Sequence, residues 1–304
     1  MPSVIVEDGG EIAYSVFGRG NGTPVLLVQG LGVDARGWAL QRGQFGRSHR
    51  CVAFDNRGTG GSSKPEGPYD LFRMAHDAVE VLDAAGIERA HVVGASMGGI
   101  IAQIIGVLYP ERTRSLTLAC TACRHHPWRR ELLADWAEMV SLRGMQALAG
   151  EGMQWLVGPR LQRRFGLALN LLSRLVLSGA PEPFIAQVDA ILAMSDDMRF
   201  ELPNIHAPTL IITGSQDSLT PVGDAEELAE CIPNSRLVVL SGAAHGLMAE
   251  APAAFNREVL SFIAEVDRAD VLDLEAQEAL ESAVGAEVTP LPGPSASGGT
   301  RATN

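Results

Sequence analysis

A serine between small residues is the first position in this sequence whose surroundings indicate chemistry. Residues 94–98 read Gly-Ala-Ser-Met-Gly; they follow an apolar run that ends at Val93 and precede a helical pattern that begins near Ile100. A G-x-S-x-G sequence between a strand and a helix is typical of a nucleophile elbow, a tight turn that exposes the serine hydroxyl. Glycines two positions to either side let the strand and the helix approach closely. Ser96 is therefore predicted to be a nucleophile; without that context the pattern would indicate only a glycine-rich turn.

A histidine in a loop of small residues is placed to activate this serine. Serine is a weak nucleophile at neutral pH and needs a base that takes its proton. His245 lies in the sequence SGAAHGLMAE, just after the apolar run Leu237–Leu240. A side chain in such a loop reaches over the end of a sheet, so His245 is predicted to be the base. The other histidines lie beside strands, in helical patterns or in the middle of the chain: His49, His76, His91, His125, His126 and His206.

An aspartate after another apolar run completes the set. Asp217 lies in the sequence TLIITGSQDSLTP, residues 209–221, where a strand ends in a loop that begins with glycine. It is predicted to orient His245, with a turn-capping aspartate as the alternative, because turns use aspartate freely. The order Ser96, Asp217, His245 is the order that this type of elbow requires. The strand exit at Cys120–His126, the other position for such an acid, carries no carboxylate.

The elements that would position these side chains alternate between strand and helix. A hairpin is predicted first, from Ser3–Glu7 and Ile12–Phe17. Apolar runs then predict buried strands at Val25–Val28, Arg50–Phe54, His91–Val93, Leu116–Leu118, Thr209–Thr213 and Leu237–Leu240. Helical patterns lie at Phe72–Ala85, Ile100–Leu108, Ala225–Ala229 and Ala253–Val266. This alternation predicts an α/β fold with a parallel sheet covered on both faces.

The strand pattern is interrupted in the middle of the chain. Apolar residues recur there at helical spacing, in a stripe of Leu132, Leu133, Trp136 and Val140 and in another of Leu167, Leu171 and Leu175. We therefore expect a core in two parts, residues 1–123 and 204–266, around an inserted helical cap at 124–203. Residues 267–304 are expected to form an acidic and flexible tail, since their end is rich in proline, serine and glycine.

Composition excludes several classes of protein. The 304 residues are 46% hydrophobic and 20% charged, which is typical of a well-packed globular chain. The net charge of -12, with no cluster of Lys and Arg, argues against a nucleic-acid partner. No signal peptide and no membrane span is expected, so a cytoplasmic location is predicted. The cysteines are few and dispersed, and all are expected to be thiols: Cys51, Cys120, Cys123 and Cys231.

A further motif shows a resemblance to a known family. Residues 55–62 read Asp-Asn-Arg-Gly-Thr-Gly-Gly-Ser, similar to the D-x-R-G-x-G-x-S loop that follows the fourth strand in α/β-hydrolases. With the elbow, Asp217 and His245, the chain resembles the α/β-hydrolase family from about Val4 to Val266. The resemblance implies an α/β-hydrolase fold: a mostly parallel eight-stranded sheet with helices on both faces and an inserted helical cap.

One position departs from the family's pattern. A His-Gly pair usually follows the third strand, whereas this chain has Gln29-Gly30-Leu31-Gly32. The family's oxyanion hole is made of backbone N–H groups, so the resemblance still implies Leu31 and Met97 as its donors. Gln29 is expected to replace a hydrogen bond that supports the loop.

The resemblance implies a serine hydrolase. Hydrolysis of a carboxylic ester or lactone through an acyl-enzyme on Ser96 is the leading expectation, with a small-molecule acyl substrate, no cofactor and no metal. Carbon–carbon bond hydrolysis and cofactor-free perhydrolase or haloperoxidase chemistry remain alternatives, because they use the same residues. A ligand-binding protein without turnover is a further alternative. The substrate and the oligomeric state stay open.

Two other groups of residues have both a chemical and a structural interpretation. Cys120, Cys123, His125 and His126 would suit a redox pair or half of a zinc site, but no second ligand pair follows at a suitable spacing. Thiols in the core are favoured instead. The tryptophans either line a substrate pocket or pack in the helices: Trp38, Trp128, Trp136 and Trp155.

Overall fold

The protein is built on one eight-stranded sheet. The structure, a computed structural model, describes residues 1–166, 180–195 and 198–287. The strands are β1 (Ser3–Ile5), β2 (Glu11–Phe17), β3 (Gly22–Val28), β4 (His49–Phe54), β5 (Ala90–Ala95), β6 (Thr113–Ala119), β7 (Thr209–Gly214) and β8 (Ser235–Leu240). Their order across the sheet is β1-β2-β4-β3-β5-β6-β7-β8.

The sheet is antiparallel at one edge and parallel elsewhere. Strand β2 pairs with β1 and with β4 in antiparallel register, as at Tyr14 and Phe54. From β4 to β8 every neighbouring pair is parallel, with Leu26 beside Val92 in the centre. Parallel strands have their carboxyl ends at the same edge of the sheet, so the loops after β3, β5, β6, β7 and β8 lie close together. The mostly parallel eight-stranded sheet is confirmed.

Helices connect and cover these strands. They are α1 (Ala39–Ser48), α2 (Leu71–Ala84), α3 (Met97–Leu108), α4 (Pro127–Arg143), α5 (Leu148–Leu156), α6 (residues 159–166), α7 (Pro181–Ala193), α8 (Met198–Glu201), α9 (Val222–Cys231), α10 (Leu247–Glu250) and α11 (Pro252–Glu287). All six residues of β5 are buried. Because successive side chains of a strand point to opposite faces, burial of consecutive residues means that both faces are covered.

Between β6 and β7, the regular elements that the structure describes are all helices. Helices α4 and α7 pack against each other there. On α4 the side chains of Leu133, Trp136 and Val140 are buried, as the helical spacing predicts. The predicted stripe of Leu167, Leu171 and Leu175 lies outside the described residues. That residues 124–203 act as a cap over the site stays a prediction.

The C-terminal helix crosses the predicted boundary between core and tail. Residues 1–263 form one compact unit, and a second unit begins at Ala264. Helix α11 continues through both, so the boundary expected at residue 267 falls inside a helix. The proline-rich end predicted to be flexible lies outside the described residues. None of the helices in the described part of the chain has the length and apolar character needed to span a membrane.

Candidate active site

Ser96 lies in a strained turn between β5 and α3. Its backbone has φ of 55° and ψ of -120°, a positive-φ conformation that residues with a Cβ rarely adopt. A Cβ at Gly94 would overlap the carbonyl oxygen of Gly98, and a Cβ at Gly98 would overlap that of Val28. The two glycines therefore let strand and helix approach as the elbow pattern predicts. The turn leaves the Ser96 side chain partly exposed at the carboxyl edge of the sheet.

The end of β6 supports this turn from the neighbouring strand. The Ser96 N–H donates to the carbonyl of Ala119 at 2.9 Å, and the Thr121 hydroxyl donates to the Ser96 carbonyl at 2.8 Å. Between them Cys120 has a φ of 41°, which redirects the chain as it leaves the strand. Sequence reasoning missed the role of Thr121, because a threonine after a strand carries no signal of its partner.

The structure brings the three predicted residues together. His245 Nε2 lies 3.0 Å from Ser96 Oγ, and His245 Nδ1 lies 2.9 Å from Asp217 Oδ2. Asp217 and His245 are both buried. The hydroxyl of Thr220 donates to Asp217 Oδ2 at 2.8 Å and lies 3.3 Å from His245 Nδ1. This geometry supports transfer of a proton from Ser96 to His245 with Asp217 behind the ring.

Asp217 is held by four hydrogen bonds. Its Oδ1 accepts from the N–H groups of Leu219 and Thr220, both at 2.9 Å, and its Oδ2 accepts from Thr220 and His245. Burial acts to raise the pKa of this carboxyl, but the charge of His245 and the hydrogen bonds from His245 and Thr220 outweigh it. The net effect is a pKa below the usual value, which keeps Asp217 ionised beside the imidazole.

Leu31 and Met97, whose backbone amides are predicted to form an oxyanion hole, line the same cavity as Ser96, which is described below. Within the described residues no internal hydrogen bond uses the N–H of either one. Met97 is also the first residue of α3, where the helix dipole favours negative charge. The arrangement can therefore bind an oxygen that gains negative charge.

Gln29 occupies the position where the family usually has histidine, and its side chain is turned toward its own loop. It is buried, and its Oε1 accepts from the N–H of Gly30 at 3.1 Å. The Asn56 side chain in turn donates to the Gln29 carbonyl at 2.9 Å. Gln29 thus makes the loop-supporting hydrogen bond expected of it.

A cavity of about 290 Å³ opens beside Ser96 and His245. Most of its wall is apolar and comes from the elbow, the loop after β3 and the helices between β6 and β7. The apolar side chains of that wall include Leu31, Ile100, Leu133, Trp136, Phe184 and Ile191. Among the tryptophans only Trp136 contributes to it; Trp38 packs against Phe255, and Trp128 stacks on Trp155. A cavity of this kind accommodates a small, largely apolar molecule.

A buried arginine on α4 connects this helix to α9 and to the loop that carries Asp217. Arg129 Nε donates to the carbonyl of Leu219 at 2.8 Å, Nη1 donates to the carbonyl of Arg124 at 3.0 Å, and Nη2 pairs with Asp224 on α9. Both members of the Arg129–Asp224 pair are almost completely buried. Burial raises the pKa of the Asp224 carboxyl despite the attraction of Arg129 and His126.

Loss of Arg129 is expected to destabilise the protein. Removing one member of a buried ion pair leaves an uncompensated charge, so Arg129→Met should lower the free energy of unfolding by about 3–5 kcal/mol. Urea denaturation measures this. Arg143→Met is the matched control, because Arg143 is an exposed residue of the same helix. A loss below about 1 kcal/mol for Arg129→Met, within the range of exposed pairs, would contradict the expectation.

A group of potential metal ligands different from the set Cys120, Cys123, His125 and His126 comes together in the structure, and its surroundings do not favour a cation. Of the residues that the structure describes, His126, Asp224 and Glu227 place potential ligand atoms within 4.8 Å of one another. Both carboxylates are already paired with arginines, Asp224 with Arg129 and Glu227 with Arg124. These positive charges oppose a cation. All four cysteines are free thiols, and burial raises the pKa of Cys123 to about 12.

Comparisons with known proteins agree with the fold. Residues 23–252 match the family model described as the alpha/beta hydrolase fold. The putative carbamate hydrolase RutD of Azorhizobium caulinodans is 32% identical over 260 residues, which cover 85% of this chain and 97% of that protein. A 2-hydroxymuconate semialdehyde hydrolase of Pseudomonas putida is 31% identical, over 82% of this chain and 90% of its own.

A solved structure gives the same result. The enol-lactonase from Burkholderia xenovorans LB400 superimposes with a TM-score of 0.80 at 29% identity, over 86% of this chain and 100% of that one. These three relatives are named as hydrolases or as a lactonase, and their similarity extends over most of both chains. Together with the sheet order and the position of Ser96, the match over residues 23–252 shows that this chain belongs to the α/β hydrolase family.

Proposed function

We propose that the protein is a serine hydrolase that cleaves a carboxylic ester or lactone through an acyl-enzyme on Ser96. The observation that carries this proposal is the continuous hydrogen-bonded series from Ser96 Oγ to His245 and on to Asp217, with distances of 3.0 and 2.9 Å. The series ends at an apolar cavity. An ionised aspartate behind a histidine that contacts a serine is the arrangement that activates the hydroxyl.

In the first half of the reaction Ser96 Oγ attacks the substrate's carbonyl carbon, and its proton passes to His245 Nε2. The carbonyl oxygen becomes an oxyanion, which receives hydrogen bonds from the N–H groups of Leu31 and Met97. Removing one such donor in other enzymes lowers kcat by about 10²–10³-fold, so these contacts carry much of the rate. Asp217 stabilises the resulting imidazolium by accepting a hydrogen bond from the Nδ1–H of His245.

In the second half His245 returns the proton. It protonates the departing alcohol, or the ring oxygen of a lactone, as the tetrahedral intermediate collapses to the acyl-enzyme. His245 then takes a proton from water, which attacks the acyl carbon; as this second tetrahedral intermediate collapses, His245 gives the proton to Ser96 Oγ and the acid is released. Each proton transfer by a positioned group contributes about 10²–10⁴-fold.

The relatives support acyl chemistry and also carry a second candidate. The carbamate hydrolase and the enol-lactonase are named for reactions at an acyl carbon. The similarity to a 2-hydroxymuconate semialdehyde hydrolase favours carbon–carbon bond hydrolysis as the alternative. Perhydrolase activity and a binding protein without turnover stay further alternatives. We also propose that residues 124–203 form a cap, since α4, α5 and α7 supply part of the cavity wall. The cytoplasmic location stays a prediction.

The proposal is tested with p-nitrophenyl esters of increasing acyl length, simple lactones and a dienol ketone. For the wild-type protein we expect ester and lactone turnover that is highest for short acyl groups, because the cavity holds only about 290 Å³. Quenched reactions should contain protein whose mass is increased by one acyl group on Ser96. Turnover of the dienol ketone alone would establish the carbon–carbon alternative. A folded protein without turnover or acylation would refute the proposed function.

A further inference from the structure

Helix α7 contacts two loops beside the site, the loop after β3 and the connection between β4 and α2. A Cβ at Gly32 would lie 3.1 Å from the ring of Phe184, and one at Gly58 would lie 3.2 Å from Pro183. A Cβ at Gly67 would lie 3.3 Å from Ala186. The first turns of α7 thus pack closely on the backbone at each of these glycines, where an added Cβ would make a tighter contact than is usual.

One side chain of this helix reaches both loops at once. Gln187 is fully buried. Its Oε1 accepts from the N–H of Gly32 at 2.8 Å, and its Nε2 donates to the carbonyl of Arg57 at 2.8 Å. A glutamine amide has an acceptor at one end and donors at the other, so it links an N–H and a carbonyl where a carboxylate or a hydrocarbon does not.

Arg57, whose carbonyl accepts from Gln187, is itself held by several hydrogen bonds. Arg57 is buried, and its guanidinium donates to both oxygens of Asp77 on α2, at 2.7 and 2.8 Å. A third bond joins Arg57 to Asp8 at 2.9 Å. The carbonyl of Arg57 is therefore a rigid anchor, and Gln187 connects Gly32 to that anchor.

Three successive amides of the loop after β3 differ in their hydrogen bonding. The N–H of Gly30 is held by Gln29, and the N–H of Gly32 is held by Gln187. The amide between them, that of Leu31, has no internal hydrogen bond within the described residues and lies at the cavity wall. Fixing the peptide units on both sides leaves the Leu31 N–H little freedom to turn away.

We propose that Gln187 is a positioning residue for the oxyanion hole: it holds Gly32 so that the N–H of Leu31 points at the oxyanion. This inference rests on the proposed function. Gln187 acts through the loop and touches no reacting atom. It makes the catalytic power of the site depend on a helix that lies 155 positions away in the sequence from Gly32.

The expected effect is on kcat. A misplacement of about 1 Å costs on the order of 10²-fold, and the negative charge on the oxygen is absent from the bound substrate and develops only as Ser96 attacks. Gln187→Leu should therefore lower kcat by roughly 10–100-fold with little change in KM. Affinity for a transition-state analogue, an alkyl boronic acid on Ser96, should fall by a similar factor. Asp189→Asn is the matched control, because Asp189 is an exposed residue on the same helix.

A conservative variant separates positioning from packing. In Gln187→Glu one carboxylate oxygen still accepts from Gly32, but the other faces the carbonyl of Arg57 without a proton. Protonation restores a donor at that oxygen, so kcat of this variant relative to wild type should recover as the pH is lowered. Gln187→Leu should show no such recovery. A residue that only fills space would give kcat ratios that do not depend on pH.

The decisive experiment combines these kinetics with hydrogen exchange at the Gly32 amide, which needs no turnover. We expect faster exchange in Gln187→Leu than in wild type or Asp189→Asn, together with the loss in kcat. Wild-type kcat and unchanged exchange in Gln187→Leu would overturn the inference. Faster exchange with unchanged kcat and boronate affinity would overturn it too, because the bond would then be only structural. Failure of the proposed function is seen separately, as Ser96-independent turnover or no acylation in the wild-type protein.

Discussion

Ser96→Ala is expected to lower kcat for ester hydrolysis by about 10⁶-fold, the loss found when a triad serine is removed from a protease of the same chemistry. The variant has no oxygen 3.0 Å from His245 Nε2, so no acyl-enzyme forms. The cavity and the backbone donors remain, and KM should change little. Steady-state kinetics with a p-nitrophenyl ester measures the loss, and a fluorophosphonate should label the wild-type protein but not the variant.

Two controls separate this effect from unfolding or a contaminant. The free energy of unfolding of Ser96→Ala should stay near that of wild type, because alanine also carries a Cβ in the same strained turn. Ser141→Ala changes an exposed serine on α4 and should retain full activity. More than about one per cent of wild-type turnover in purified, folded Ser96→Ala, far above the expected loss, would show that Ser96 is not the nucleophile.

Asp217→Asn is expected to lower kcat by about 10⁴-fold, as in other triads. The reason follows from the partners of this carboxyl. The N–H groups of Leu219 and Thr220 both require an acceptor at the Oδ1 position, so the amide oxygen stays there. The amide NH₂ then faces His245 Nδ1. The imidazole must accept at Nδ1 and carry its proton on Nε2, where it no longer removes the proton of Ser96.

The pH dependence of stability gives an independent measurement on Asp217. Its pKa is lowered by folding, so the ionised form stabilises the folded state above the unfolded pKa of about 3.9. That stabilisation is lost as the pH falls through the folded pKa. The difference in free energy of unfolding between wild type and Asp217→Asn should therefore shrink as the pH is lowered below about 5. A difference that grows as the pH falls below about 5 would contradict the ionised form in the folded state.

The candidate site was predictable where local sequence determines local structure. The elbow around Ser96 needs glycines at fixed offsets, and the loops with Asp217 and His245 follow apolar strands, so each carries its own signal. The parallel sheet then brings the strand ends to one edge. Roles that depend on distant partners left no such signal: Gln187 acts on a loop 155 positions away, and Arg129 holds a carbonyl 90 positions away.

The C-terminal boundary of the core was less predictable from the sequence. A change in composition near residue 267 indicated a boundary, but α11 continues to Glu287. Alanine, glutamate and leucine are strong helix formers, so an acidic segment rich in them prolongs a helix that begins in the core. The alternation of strand and helix, in contrast, is repeated along the chain, and it predicted the sheet correctly.

The helices around the cavity carry side chains that can be exchanged and side chains that cannot. Leu133 and Trp136 on α4 give the wall its apolar surface and its shape. Arg129 on the same helix and Gln187 on α7 are instead hydrogen-bonded to the loops that carry Asp217 and Leu31. A combinatorial library for new substrates should therefore vary the first pair and keep the second. In the proposed enzyme, the side chains that shape the binding space thus differ from the side chains that hold the catalytic loops, although both groups lie on the same helices.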